Sequence, residues 1–182
     1  MIWMTIEAAA SLWAAVRARS PALLAFGGDS AIELLSAAVV LWRFQRPEAD
    51  EQAERRAARI AGILLLLLTA YVVAVSALTL LGYSEPKASR MGIAILALAA
   101  IVMPWLAREK RRLSSATGST ALRAYAAESM LCAYLSIIAL VGLATNAFFE
   151  FGWADPVAAL AITPFIVWEA WKALRGKPCS CP

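Results

Sequence analysis

Asp29 and Glu33 stand four residues apart inside the stretch LLAFGGDSAIELLSAAVVLWRF, Leu23 to Phe44, which is otherwise almost wholly apolar or small. On a helix, positions i and i+4 share one face, a turn apart. A carboxylate in an apolar span is costly, so such groups face a cavity and mark a pathway. The plainer alternatives are a helix cap or a partner arginine, but Asp29 lies several residues past Pro21, beyond capping position. A second pair repeats the spacing: Glu128 and Cys132 in AYAAESMLCAYLS. A lone buried cysteine is usually an inert small apolar residue; one turn from a glutamate it becomes a candidate ligand. Two helices that each offer two acidic ligands can make a four-coordinate site when packed together. Tetrahedral oxygen and sulfur donors suit Zn²⁺ or a close relative, and the sulfur tilts the site away from Mg²⁺ and Ca²⁺. The chain has no histidine, so any metal site must use carboxylate, thiolate, hydroxyl or backbone oxygen.

Fully ionised, Asp29, Glu33, Glu128 and a Cys132 thiolate would carry a total charge of −4. Mutual repulsion and poor solvation forbid that in an empty site, so the ligands are expected to hold protons and to titrate as a set. A divalent cation would expel those protons. Metal/proton exchange follows, with the helices exposing the site to each side in turn.

The elements that must position these pairs are membrane helices. Of 182 residues, 62% are hydrophobic and only 16% charged, against roughly 45–50% and 25% in soluble domains. About 20 mostly apolar residues span a bilayer, and six segments qualify: Ile2 to about Arg17, Ala22–Phe44, Ile60–Gly82, Met91–Ala107, Ala121–Phe149 and Pro156–Leu174. The fold class is therefore all-α and polytopic, with one membrane domain over residues 1–175 and a cysteine-containing tail over 176–182. The N-terminal stretch has no basic leader and runs straight into the first span. Thirteen Lys and Arg fall on the side of the 2–3 and 4–5 connectors and the tail, against four on the other side. Both termini are thus expected to be cytoplasmic. That asymmetry accounts for the net charge of +4 and leaves no case for nucleic acid. The mixed stretch RPEADEQAERRAAR reads as a solvated helical turn or two.

Other polar residues have plainer readings. Glu7 is expected near the cytoplasmic interface, with a supporting or proton-path role as the alternative. Ser30, Ser36, Ser129 and Ser136 suit close helix packing or local hydrogen bonds. Asp155, followed by Pro156, suits the cap of the sixth helix. Glu169 is expected to reach the interface. Trp42, Trp105, Trp153, Trp168 and Trp171 lie near span ends and fit an interfacial belt. The tail RGKPCSCP offers Cys179 and Cys181. It reads either as an inert end or as metal-binding; capture of a soft cation at the cytoplasmic mouth is the hypothesis taken forward, with a four-thiolate site shared with a partner chain as its alternative.

The sequence resembles the transmembrane region of the cation diffusion facilitator family. SPALLAFGGDSAIELLSA is similar to that family's second-helix pattern, with Asp29 and Glu33 on its two ligand positions. The family's His-x-x-x-Asp on helix five falls on Glu128 and Cys132, and WADPVAALAI, Trp153 to Ile162, is similar to its entry into helix six. The resemblance covers most of the chain and implies six helices, antiport of a divalent cation and a homodimer. The ligands depart from the usual types, and the family's cytoplasmic metal-binding domain is not expected. The reading is a multi-pass exporter of the inner (cytoplasmic) membrane, carrying Zn²⁺ or else Cd²⁺, Co²⁺, Fe²⁺ or Mn²⁺. A non-transporting metal sensor or buffer is the alternative, and a scaffold whose acids pair with arginines is a further rival. Neither a nucleophile–base pair nor a cofactor motif suggests an enzyme.

Overall fold

The computed structural model describes residues 2–45, 51–87, 89–117 and 120–175, which form six helices and no strand. They are α1 (Ile2–Ala18), α2 (Pro21–Gln45), α3 (Glu51–Leu80), α4 (Arg90–Thr117), α5 (Thr120–Phe149) and α6 (Ala154–Leu174). Four stretches, Arg59–Leu80, Arg90–Leu113, Ser129–Phe149 and Ala154–Leu174, are long and apolar enough to cross a membrane. At 17 residues α1 is shorter, about 25 Å at 1.5 Å per residue. α2 is long enough but carries Asp29 and Glu33 within its 25 residues. α3 takes in Glu51 to Arg59 ahead of its apolar run, so most of the mixed-charge stretch is helical as expected. α4 runs ten residues past Ala107, through the basic cluster.

The helices alternate in direction. Three connectors meet at one end of the bundle: the Lys87 N–H donates to Ala18 O (2.7 Å), Asn146 Nδ2 donates to Pro86 O (3.1 Å), and Ser20 Oγ donates to Asp155 Oδ1 (2.7 Å). The turn between α1 and α2 is tight, with Arg19 at φ 51°. Ser20 then caps α2, its Oγ accepting the Leu23 N–H at 3.1 Å, and Pro21 fills the first helical position. Asp155 thus differs from its expected role. It lies in the first turn of α6 rather than at the cap, is fully buried, and braces the N-terminus of α2 through Ser20 and the Ala22 N–H. A carboxylate there is favoured by the α2 dipole.

α2 lies at the centre, packed against α1, α3, α5 and α6. Between Pro21 and Ser30 every residue except Leu24 is buried. Two glycines make this possible. A Cβ on Gly27 would stand 2.6 Å from Ser11 Oγ and 3.0 Å from the Leu12 backbone nitrogen of α1. A Cβ on Gly28 would stand 2.7 Å from Leu68 Cδ1 of α3. Just before Asp29, α1 therefore approaches α2 at backbone distance, and the Leu68 side chain of α3 fills the space left by Gly28. The interior is rich in alanine, including Ala14, Ala15, Ala22, Ala25, Ala99, Ala139 and Ala159. Large apolar side chains such as Leu67, Ile101 and Val141 point outwards. Small residues inside and bulky ones outside suit a bundle whose surroundings are as apolar as its core.

Candidate metal centre between α2 and α5

Asp29 is 4% exposed, and the next turn of α2 carries Glu33. Glu33 is half-buried as a residue, but its Oε1 is shut away from solvent. The facing turn of α5 carries Cys132, a buried free thiol at 3% exposure. Its Sγ donates to Glu33 Oε2 at 2.9 Å. A residue of each expected pair therefore meets across the α2–α5 seam, joined by a proton. Asp29 lies within electrostatic range of both Glu33 and Cys132. Glu128 sits one turn before Cys132 on α5, and its side chain lies outside the described residues. So do Cys179 and Cys181. Among the described residues, no three carboxylate or thiol groups stand close enough to hold one ion as placed.

Four further polar side chains surround this seam. Glu7 differs from its expected interfacial place: it is 2% exposed, inside the bundle and within electrostatic range of Glu33. It belongs to an inward stripe of α1 formed by Met4, Glu7, Ala8, Ser11, Ala14, Ala15 and Ala18. The three-to-four-residue spacing of Glu7, Ser11, Ala14 and Ala18 was the available signal. Glu169 also differs from its expected role. It is half-buried on α6 and in electrostatic range of Asp29 and Cys132. It follows Ile162 by seven residues and Ile166 by three, so it shares the face those buried side chains occupy. Lys110, which the sequence places among the thirteen basic residues of the connectors and tail, is half-buried on the extended α4. Its Nζ donates to Ser129 Oγ of α5 at 2.6 Å, and it lies in electrostatic range of Glu33. Ser129 is thus a cross-helix partner rather than a packing residue, whereas Ser136 makes the expected local bond, to Ala133 O at 2.8 Å.

The wall around Cys132 is apolar, formed by Met4, Met103 and Ala133 with Trp3, Leu34 and Leu106 against them. Acidic groups and one lysine are gathered at a helix seam behind that wall, where an ion would shed water and meet fixed donors. The exposed tryptophans of the expected interfacial belt stay away from it. Trp105, Trp153, Trp168 and Trp171 are exposed, and Lys172 and Arg175 lie over the rings of Trp168 and Trp171. Trp42 has no described side chain.

Among curated proteins, none matches the sequence. A family model described as the cation efflux transmembrane domain matches residues 1–176. That is nearly the whole of the 182-residue chain, and it covers all six helices and every polar residue at the seam. The chain belongs to the cation efflux family, and is a multi-pass membrane transporter of cations rather than an enzyme.

Proposed function

We propose that this protein exports Zn²⁺, or a similar soft-to-borderline divalent cation, across the inner membrane in exchange for protons. The site would be Asp29 and Glu33 of α2 with Glu128 and Cys132 of α5, and the working unit a homodimer. The observation that carries this reading is the 2.9 Å bond from the Cys132 thiol to Glu33 Oε2. Thiol and carboxylate are the two ligand types that the soft-cation reading needs, and they meet at one point with a proton between them. A divalent cation binding there replaces that proton, because thiolate and carboxylate ligate only when deprotonated. Asp29 and Glu128 complete the donor set as α2 and α5 close on the ion. Protons returning from the far side then release it. Glu169 and Lys110 set the local field: the carboxylate adds to the attraction for a cation, and the ammonium limits how tightly it is held.

Purified protein in proteoliposomes under an imposed pH gradient tests this directly. Zn²⁺ or Cd²⁺ should move with the gradient in the wild type, with counterflow of protons, and Asp29→Ala should abolish it. Binding without flux would leave a sensor or buffer. Equal metal binding by wild type and Asp29→Ala would remove the site altogether.

A further inference from the structure

Neither oxygen of the Glu7 carboxylate is accounted for by the donor set above. Glu7 is 2% exposed, yet its Oε1 and Oε2 both lack a hydrogen-bond partner. The indole N–H of Trp3, one turn earlier on α1, is buried beside it as a weak donor, outside full hydrogen-bond geometry. Glu33 is in electrostatic range of Glu7, and its two oxygens differ: Oε2 takes the Cys132 thiol proton, whereas Oε1 is buried without a partner. Lys110, also in range of Glu33, already donates to Ser129 Oγ. Three carboxylate oxygens on two helices thus lack a full hydrogen bond in a desolvated interior, at a cost that a positive ion between them would offset.

We propose that Glu7 and Glu33 Oε1 form an all-oxygen position for a divalent cation, contributed by α1 and adjoining the sulfur-containing position at Cys132. Glu33 would serve both, Oε2 on the Cys132 side and the unpartnered Oε1 with Glu7. The position rests on the exporter reading for its purpose, which is to take up an ion leaving the thiolate. Its donors suit harder ions such as Mn²⁺, with water completing the shell, whereas the Cys132 side suits Cd²⁺.

The test is equilibrium binding of Mn²⁺ and, separately, Cd²⁺ to the full chain in nanodiscs, with cadmium–thiolate charge-transfer absorption followed in the ultraviolet. Glu7→Gln should weaken Mn²⁺ by about tenfold or more, equivalent to ~1.4 kcal/mol, and leave the midpoint of the Cd²⁺ absorption in place. Glu7→Asp keeps the charge but draws it back by one methylene. It should also weaken Mn²⁺, and it decides the matter if Glu7→Gln does not fold. Unchanged Mn²⁺ affinity in a folded variant overturns the proposal. So does an equal loss of both ions, which would mark Glu7 as a structural residue. If Cys132→Ser leaves Cd²⁺ binding intact while Glu7→Gln loses Mn²⁺, the α2–α5 reading fails and the α1 position stands.

Discussion

Gly27→Ala is the substitution whose effect the packing of α1 on α2 sets most directly. The added Cβ would meet Ser11 Oγ at 2.6 Å, the Leu12 nitrogen at 3.0 Å and Leu12 Cγ at 3.1 Å, where ordinary contact begins at 3.4 Å. The overlaps are therefore about 0.8, 0.4 and 0.3 Å. Ser11 could relieve the first by changing rotamer, at the expense of its bond to Glu7 O at 2.6 Å. The Leu12 nitrogen belongs to the helix and can yield only if α1 moves as a body. Overpacking of this kind costs roughly 1–3 kcal/mol. For a chain of this size that lowers the thermal midpoint by several degrees. The displacement has a functional reading as well, because Glu7 lies on the turn of α1 next to the overlap. Pushing α1 off α2 widens the gap between Glu7 and Glu33, while the Cys132–Glu33 contact, on α5 and α2, stays closed. Thermal unfolding in detergent, read by circular dichroism, should show the loss. Mn²⁺ affinity should fall and the Cd²⁺–thiolate absorption should persist. Adding Ser11→Ala should restore part of the stability, since it removes the atom with the largest overlap, and the two changes should be coupled rather than additive. If Gly27→Ala is as stable as the wild type and shows no coupling to Ser11, the close approach of α1 and α2 is wrong, and the position assigned to Glu7 falls with it.

Three further outcomes can be checked separately. Cys132→Ser keeps a donor for Glu33 but replaces a soft ligand with a hard one, so transport and binding of Cd²⁺ and Zn²⁺ should weaken by roughly tenfold or more relative to Mn²⁺; unaltered selectivity in a flux assay would remove sulfur from the site. Asp155→Ala removes the acceptor of the Ser20 Oγ bond (2.7 Å) and the acid beside the Ala22 N–H. A loss of about 2–4 kcal/mol is expected, with Asp155→Asn falling between it and the wild type; unfolding midpoints would show whether the α2 start depends on this brace. Joint replacement of Cys179 and Cys181 by serine should raise the metal concentration needed for half-maximal uptake without changing the maximal rate, and identical uptake curves at low free metal would show the tail to be inert.

Asp29, Glu33 and Cys132 stand out in the sequence as candidates because the signal is doubled. One acid in an apolar run can be a cap or a snorkelling group, but two chelating residues one turn apart, twice over, are hard to explain by packing. The Cys132–Glu33 contact needed only that α2 and α5 be neighbours. Glu7, Lys110 and Glu169 carried no such doubling. Each lies near the end of an apolar run, where a charged side chain reads as interfacial by default. What distinguishes them is which face of the helix they occupy and what is packed there. For Glu7 and Glu169 the face was encoded, by the small residues of α1 and by the Ile162–Ile166–Ala170 stripe of α6. For Lys110 it was not, since its place depends on α4 continuing through its own basic cluster to Thr117.

Asp155 shows a different limit. Its sequence context, an acid before proline at a helix start, is the same whether it caps its own helix or a neighbouring one. The structure gives the capping of α2 to Ser20 and Pro21 and lets Asp155 reinforce it from α6. That arrangement ties the start of α2 to α6, eight residues ahead of Asp29. Gly27 and Gly28 then hold α2 against α1 and α3 on the turn before the acid. The carboxylates are therefore positioned by close contacts on their N-terminal side, and α5 supplies the facing thiol. An alternating-access motion that moves α5 relative to α2 would break the Cys132–Glu33 contact while leaving the α1–α2–α3 contacts intact. Glu7 and Glu33 would travel together, and an ion freed from sulfur would find the α1 carboxylate still in place.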